Sequence, residues 1–97
     1  MSAYLVAHAA VKDMDKLMEY AGQAVPQIEA AGGERLFRAP VVEVLVGSHD
    51  ANLCAAFRFP DRDTLQRWYD SDAYQALIPL RDAAADMTFL VLEDMPE

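Results

Sequence analysis

The run LCAAFRFPDRDTLQRWYDSDAYQAL, Leu53 to Leu77, changes its period half-way along. Up to Phe59 it is apolar and bounded by turn residues, the pattern of a strand. Pro60 ends that strand, because it has no amide to donate to a ladder. Asp61 then stands where a helix N-cap belongs. Leu65, Trp68 and Tyr69 recur at i, i+3 and i+4 on one helix face. Ser71 offers a second cap with Asp72 in its first turn, so one helix breaks and a shorter one follows, presenting Tyr74 and Leu77.

Downstream, Ile78-Pro79 interrupts the pattern again, and LRDAAAD makes a last helical turn or two with Pro79 at its first position. Thr88 to Glu93 reads as a final strand, apolar on both faces. Upstream, Ala3 to Val11 alternates two apolar sets, as a strand covered on both sides does. Asp13 caps an amphipathic helix with a stripe of Leu17, Met18, Ala21, Ala24, Val25 and Ile28, stopped by Gly32-Gly33. Tyr20 lies off that stripe, and Pro26 predicts a kink or a join between two helical segments. Glu34 to Arg38 and Val41 to Gly47 both read as strand, with Pro40 at a bend, an edge or a short hairpin between them. The five residues SHDAN suit an antiparallel turn joining VVEVLVG to LCAAFRF.

The order is therefore β-α-β-β-α-β. This is an α+β, ferredoxin-like arrangement in a single domain over residues 1–97: a four-stranded antiparallel sheet with helices on one face. Two helices cover one face only, yet the strands are apolar on both. A second copy stacked sheet to sheet answers the remaining demand, so a homodimer is expected. Eight basic against sixteen acidic residues give a net charge of -8, a field that repels nucleic acid. The N-terminal apolar run is too short to cross a membrane, and a cytoplasmic protein is expected. Cys54 is the only cysteine, so no disulfide within the chain and no cysteine-based metal framework is possible; it reads as a buried, inert thiol.

The chain resembles the bacterial family known as domain of unknown function 1330, within the dimeric α/β-barrel superfamily. The resemblance rests on AYLVAH, AAGGERLFRA, VEVL, FRFPDRDTLQRWYDSDAYQAL and LRDAAAD, nearly the whole chain. Its most specific piece is FP, eight residues, then WY-x-S-x-x-Y, followed by Arg81. It implies a homodimer whose sheets form a closed barrel-like core, and relatives that include cofactor-free monooxygenases, muconolactone-type isomerases and heme-binding enzymes. Ala39-Pro40, Val46 and Arg58 depart from the family pattern. A role resting on an acid at either of the last two positions is not carried over.

His8, mid-strand, has two readings: a general base or a packed, hydrogen-bonded imidazole. His49 reads as a solvated turn residue. With no third ligand at metal-site spacing, no metal is expected, and no motif calls for a cofactor. Arg38 and Arg58 sit on strands, where they hold a ligand carboxylate, pair with Glu43 if it shares their face, or face water at an edge. Arg81 is positioned to anchor an acidic ligand beneath Tyr69 or Tyr74, or to bond carbonyls freed at the proline break. Trp68, Tyr69 and Tyr74 are either packing or the wall of a pocket. Two functions follow. One is a site for a small aromatic or acidic metabolite, with His8 and Arg81 catalytic and Arg38, Trp68, Tyr69 and Tyr74 binding, for isomerase- or monooxygenase-like chemistry. The other is a dimeric module that binds a ligand or partner without turnover. The sequence leaves open whether the protein is an enzyme.

Overall fold

The computed structural model describes residues 1–96. Its elements are β1 (Ala3–Val11), α1 (Met14–Ala30), β2 (Glu34–Pro40), β3 (Leu53–Phe59), α2 (Arg62–Asp70), α3 (Asp72–Gln75), α4 (Ile78–Ala84) and β4 (Ala85–Glu93). The strands form one antiparallel sheet in the order β2-β3-β1-β4. β1 and β2 are split by β3, and β3 and β4 by β1, so each crossover lays its helices on the same side. The Cα envelope measures 34 × 32 × 16 Å, two layers thick, and the second face of the sheet carries no helix.

The local signals act where the sequence places them. Asp13 accepts from the Lys16 amide at 3.1 Å, Asp61 from that of Thr64 at 2.7 Å, and Ser71 from that of Tyr74 at 3.2 Å. Hydrogen bonds from the Thr64 backbone amide and from its side-chain hydroxyl hold the Asp61 carboxyl below its usual range. Gly32 takes φ of +97°, which ends α1. At Gly33 an added Cβ would lie 2.5 Å from Ile28 Cγ2 and 3.2 Å from the Phe59 ring, so helix and strand meet only over glycine.

Four expectations change. Pro26 does not join two helical segments: α1 is continuous from Met14 to Ala30, and Pro26 and Gly22 lie on its exposed side, where water can reach the unbonded carbonyl. Tyr20, not Met18, belongs to the buried stripe with Leu17, Ala24 and Ile28, while Met18 is 52% exposed. Tyr20 can be buried because its hydroxyl has a partner in Tyr74, at 2.7 Å. β4 begins at Ala85 and pairs with β1 along its whole length.

The largest change is at VVEVLVG. ERLFRAP, not VVEVLVG, pairs with β3, from Glu34↔Arg58 to Pro40↔Leu53. Pro40 is tolerated at the last position of an edge strand. Val41 donates once more, to Asn52 at 2.9 Å, and the chain then leaves the sheet, since β3 is already used. Val42, Leu45 and Val46 are left 90%, 77% and 92% exposed.

Candidate functional site

The side chains singled out from sequence fall in three places rather than one. The register separates them. Along β1, Ala3, Leu5, Ala7 and Ala9 face the helices, opposite Phe59, Phe57, Ala55 and Leu53 of β3. Tyr4, Val6 and His8 face the other way, opposite Arg58, Ala56 and Cys54.

The first place is a cavity of about 410 Å³ between α1 and the sheet. It exists because small residues face one another: Ala7, Ala9 and Ala55 on the sheet, Ala21 and Ala24 on α1. Leu17, Phe57, Trp68 and Phe89 are among the larger side chains of the remaining wall, and Arg35 and Arg38 stand at its exposed margin. A regular strand would aim Arg35 and Arg38 at opposite faces, since they are an odd number of residues apart. The β2 ladder slips between Arg35 and Phe37, and this extra residue puts both guanidinium groups on the helix side, opposite Phe57 and Ala55. Neither arginine is in a salt bridge with a described residue. Arg38 was read from sequence as a ligand residue and is on the cavity wall; Arg35 was missed, because no glycine or proline marks the bulge. Trp68, also in the wall, is 4% exposed and packs on Phe59 and Tyr74 with ring centroids 5.8 and 4.4 Å away. Its Nε1 is buried with no acceptor among the described residues.

The second place is a polar seal behind that cavity. The Tyr20 and Tyr74 hydroxyls meet at 2.7 Å, and Arg81 Nη1 donates to Tyr74 at 3.2 Å and Tyr69 at 3.3 Å. Arg81 Nε donates to Asp82 at 3.1 Å, and its guanidinium lies over Phe89, 5.5 Å from the ring centre. Burial raises both Tyr20 and Tyr74 above the ordinary phenol range, and Tyr74 pushes Tyr20 further. Burial works against the Arg81 cation, but its bonds to Tyr69 and Tyr74 outweigh that and hold its pKa above the ordinary value. Arg81 therefore ties three helices together through hydroxyls, not through the carbonyls freed at Pro79. Tyr69, Tyr74 and Arg81 do not line the cavity.

The third place is the uncovered face. His8 Nδ1 lies 2.6 Å from His49 Nε2, and Cys54 completes a cluster whose ligand atoms are all within 4.8 Å of one another. Two expectations are corrected here. His8 is across the sheet from Arg81 and Trp68 and shares no site with them. His49 is exposed in its loop, as expected, and in addition meets His8. Cys54 is half-buried beside two imidazoles rather than sunk in the core. Arg58, on the same face, bonds Glu34 across the strands at 3.0 Å, so Glu43 is not its partner.

A four-stranded antiparallel sheet with helices on one side and a pocket between the layers defines an α+β protein of ferredoxin-like fold. Its exposed apolar second face completes the description. The chain belongs to the family described as a domain of unknown function, DUF1330, whose model matches residues 2–95. No curated protein matches it. Among solved structures it is similar to a protein of unknown function from Rhodopseudomonas palustris (14% identity, TM-score 0.83, covering 99% of this chain and 84% of that one). It is also similar to a dimeric ferredoxin-like protein of unknown function from Jannaschia sp. (15%, 0.79, 97% and 100%). A third is a cofactor-independent oxygenase from Streptomyces nogalater (9%, 0.72, 99% and 95%). Identities this low speak for the fold. Among the described residues no helix is long and apolar enough to cross a membrane.

Proposed function

We propose that the protein binds a small, largely apolar aromatic metabolite carrying an acidic group, in the cavity between α1 and the sheet. The observation that carries this reading is the cavity itself. Its volume of about 410 Å³ falls within the range of roughly 300–1,000 Å³ usual for small-molecule sites. Its wall is apolar apart from Tyr20, Cys54 and two arginines without carboxylate partners, a setting for one bidentate anion at the mouth. Among the described residues the wall holds no imidazole and no carboxylate, so binding is better supported than proton transfer. Cofactor-free oxygenation, as named for the Streptomyces nogalater protein, is the reading by which this cavity turns over: a substrate that itself supplies electrons to dioxygen needs enclosure more than a base. His8 and Arg81 drop out of the catalytic role in either case.

The protein acts as a homodimer in this reading. Supporting it are the Jannaschia protein's description as dimeric and an uncovered face bearing Phe37, Leu90 and Leu92 at 51%, 44% and 48% exposure. The arm VVEVLVG, apolar and without a strand partner in its own chain, is a further surface for the second copy.

Calorimetric titration and thermal shift with benzoic, phenylacetic and hydroxybenzoic acids, each beside its neutral amide, test the ligand reading. An occupied cavity stabilises the fold by about 2.7 kcal/mol at a ligand concentration of 100 times Kd. Arg38→Ala should weaken the acids about tenfold and leave the amides unchanged. Ala21→Phe should fill the cavity and abolish both. If no acid stabilises the protein, and Ala21→Phe has no effect on any binding seen, the reading fails. Oxygen uptake with the best-bound phenol separates turnover from binding alone.

A further inference from the structure

We propose that His8, His49 and Cys54 form a binding site for a thiophilic divalent metal ion, zinc(II), on the uncovered face of the sheet. The three residues are far apart in the chain, and the fold brings them together by two devices. The antiparallel register sets His8 of β1 directly opposite Cys54 of β3. Cross-strand partners have Cβ atoms about 4.5–5.5 Å apart, close enough to share an ion. The loop before β3 then folds back so that His49 reaches the same spot. Asn52 pins the base of that loop: its amide donates to the Ala9 carbonyl at 2.9 Å, and its side-chain oxygen accepts from the Val11 amide at 3.1 Å.

One ligand atom from each residue lies within 4.8 Å of the others. Zinc bonds nitrogen at about 2.0–2.1 Å and thiolate sulfur at about 2.3 Å in tetrahedral geometry, so its ligand atoms stand roughly 3.3–3.6 Å apart. The His8 Nδ1 to His49 Nε2 separation is 2.6 Å, a hydrogen bond that opens by well under an ångström to admit the ion. Among the described residues the two rings bond only each other, and Cys54 is free, so coordination displaces no other partner. Two imidazoles and a thiolate form a borderline-soft donor set that suits zinc over magnesium or calcium.

The fourth position is open. A cleft of about 480 Å³ lined by His8, His49, Asp50, Asp86 and Thr88 adjoins the cluster. Asp50 and Asp86 line the cleft without joining the three clustered ligands, and Asp86 is paired with Lys12 at 3.3 Å, which leaves the remaining place to water or a small exogenous anion. Three protein ligands with an open place is the arrangement of an exchange-competent zinc rather than of a closed structural one. His8 and His49 lie on the face away from the α1 cavity, and only Cys54 also borders it, so loss of either histidine tests the metal site apart from the aromatic-acid reading.

The test is a titration of the tag-free, chelator-treated, reduced protein with cobalt(II), followed by displacement with zinc(II). One cobalt per chain should bind, with a thiolate-to-cobalt charge-transfer band and visible ligand-field bands of tetrahedral intensity, and zinc should bleach both. Cys54→Ser should remove the charge-transfer band. His49→Ala, a change in an exposed loop, should leave the far-ultraviolet circular dichroism intact. It should weaken zinc by at least the about 10- to 100-fold that even outer-shell changes cost elsewhere. No saturable one-to-one binding by the wild type overturns the proposal. So does binding that both variants retain unchanged, because the ion then sits elsewhere.

Discussion

Strand β1 shows both sides of this protein within nine residues. On one side Ala3, Leu5 and Ala9 are 0%, 2% and 5% exposed, under a layer of helices. On the other, Tyr4, Val6 and His8 are only partly covered, and their neighbours Leu90 and Leu92 on β4 stay about half open. The covered side is closed by aromatic packing and a hydroxyl network, and keeps a cavity only where alanines face one another. The open side mixes apolar side chains with an ion pair and a His-His-Cys cluster. Apolar composition alone does not distinguish the sides: each strand presents hydrophobic residues to both. They differ in whether this chain supplies the cover. The covered side is complete within one chain, whereas the described residues of this chain leave the open side without a cover.

Three substitutions break or sharpen that contrast. The largest effect belongs to Tyr74, 0% exposed and bonded to both Tyr20 and Arg81. Tyr74→Ala should cost at least about 3–5 kcal/mol in urea denaturation, since it opens a large cavity and strips two buried polar groups of a partner. A loss below about 1 kcal/mol would mean that the helix layer is not held by this seal. Next comes Leu90→Glu, 44% exposed in the single chain. A charge there is harmless on a free surface but is desolvated at a sheet-to-sheet contact. If the open face is the proposed dimer interface, sedimentation should show the dissociation constant raised at least about tenfold, equivalent to 1.4 kcal/mol. An unchanged dimer would move the interface elsewhere, with the VVEVLVG arm as the next surface to vary.

The smallest is Tyr20→Phe, which removes one buried hydroxyl bond while Tyr74 keeps Arg81, for a loss of about 1 kcal/mol at neutral pH. Its pH dependence is more telling. Burial raises the folded pKa of Tyr20 above an unfolded value of 10.0. The native state therefore holds the phenol proton more tightly. The stability linked to it is fully present below pH 10 and declines as pH rises above that. Wild-type melting temperature should fall steeply between about pH 10 and 12, and Tyr20→Phe should fall less steeply. Equal slopes would remove Tyr20 from the alkaline transition.

Much of the fold was legible because it depends on near neighbours. Asp13, Asp61 and Ser71 cap the helices that follow them, Gly32 and Gly33 end α1, and Pro79 opens α4, all within one turn of the residues they act on. The errors are of another kind. Tyr20 reads from sequence as lying off the apolar stripe, and only Tyr74, 54 positions away, gives its hydroxyl a buried hydrogen-bond partner. VVEVLVG has better strand composition than ERLFRAP, yet it lost the competition for β3. Of the residues singled out as candidates, Arg38 and Trp68 lie together at the cavity. Arg35 was invisible because its orientation turns on a one-residue bulge. His8 and Arg81 were joined in one imagined site because sequence does not say which face a strand residue takes once both faces are apolar.

The sequence by itself determined the order of strands and helices and the caps that end most helices, because caps, turns and hydrophobic period act over a few residues. Only the tertiary structure decided which strand pairs with β3, which side of the sheet each residue meets, and hence that His8 stands with His49 and Cys54 rather than with Arg81. Strand pairing is a contest between distant segments of similar composition, and side chains alternate at every step. A single slip in register therefore reassigns every contact on both faces.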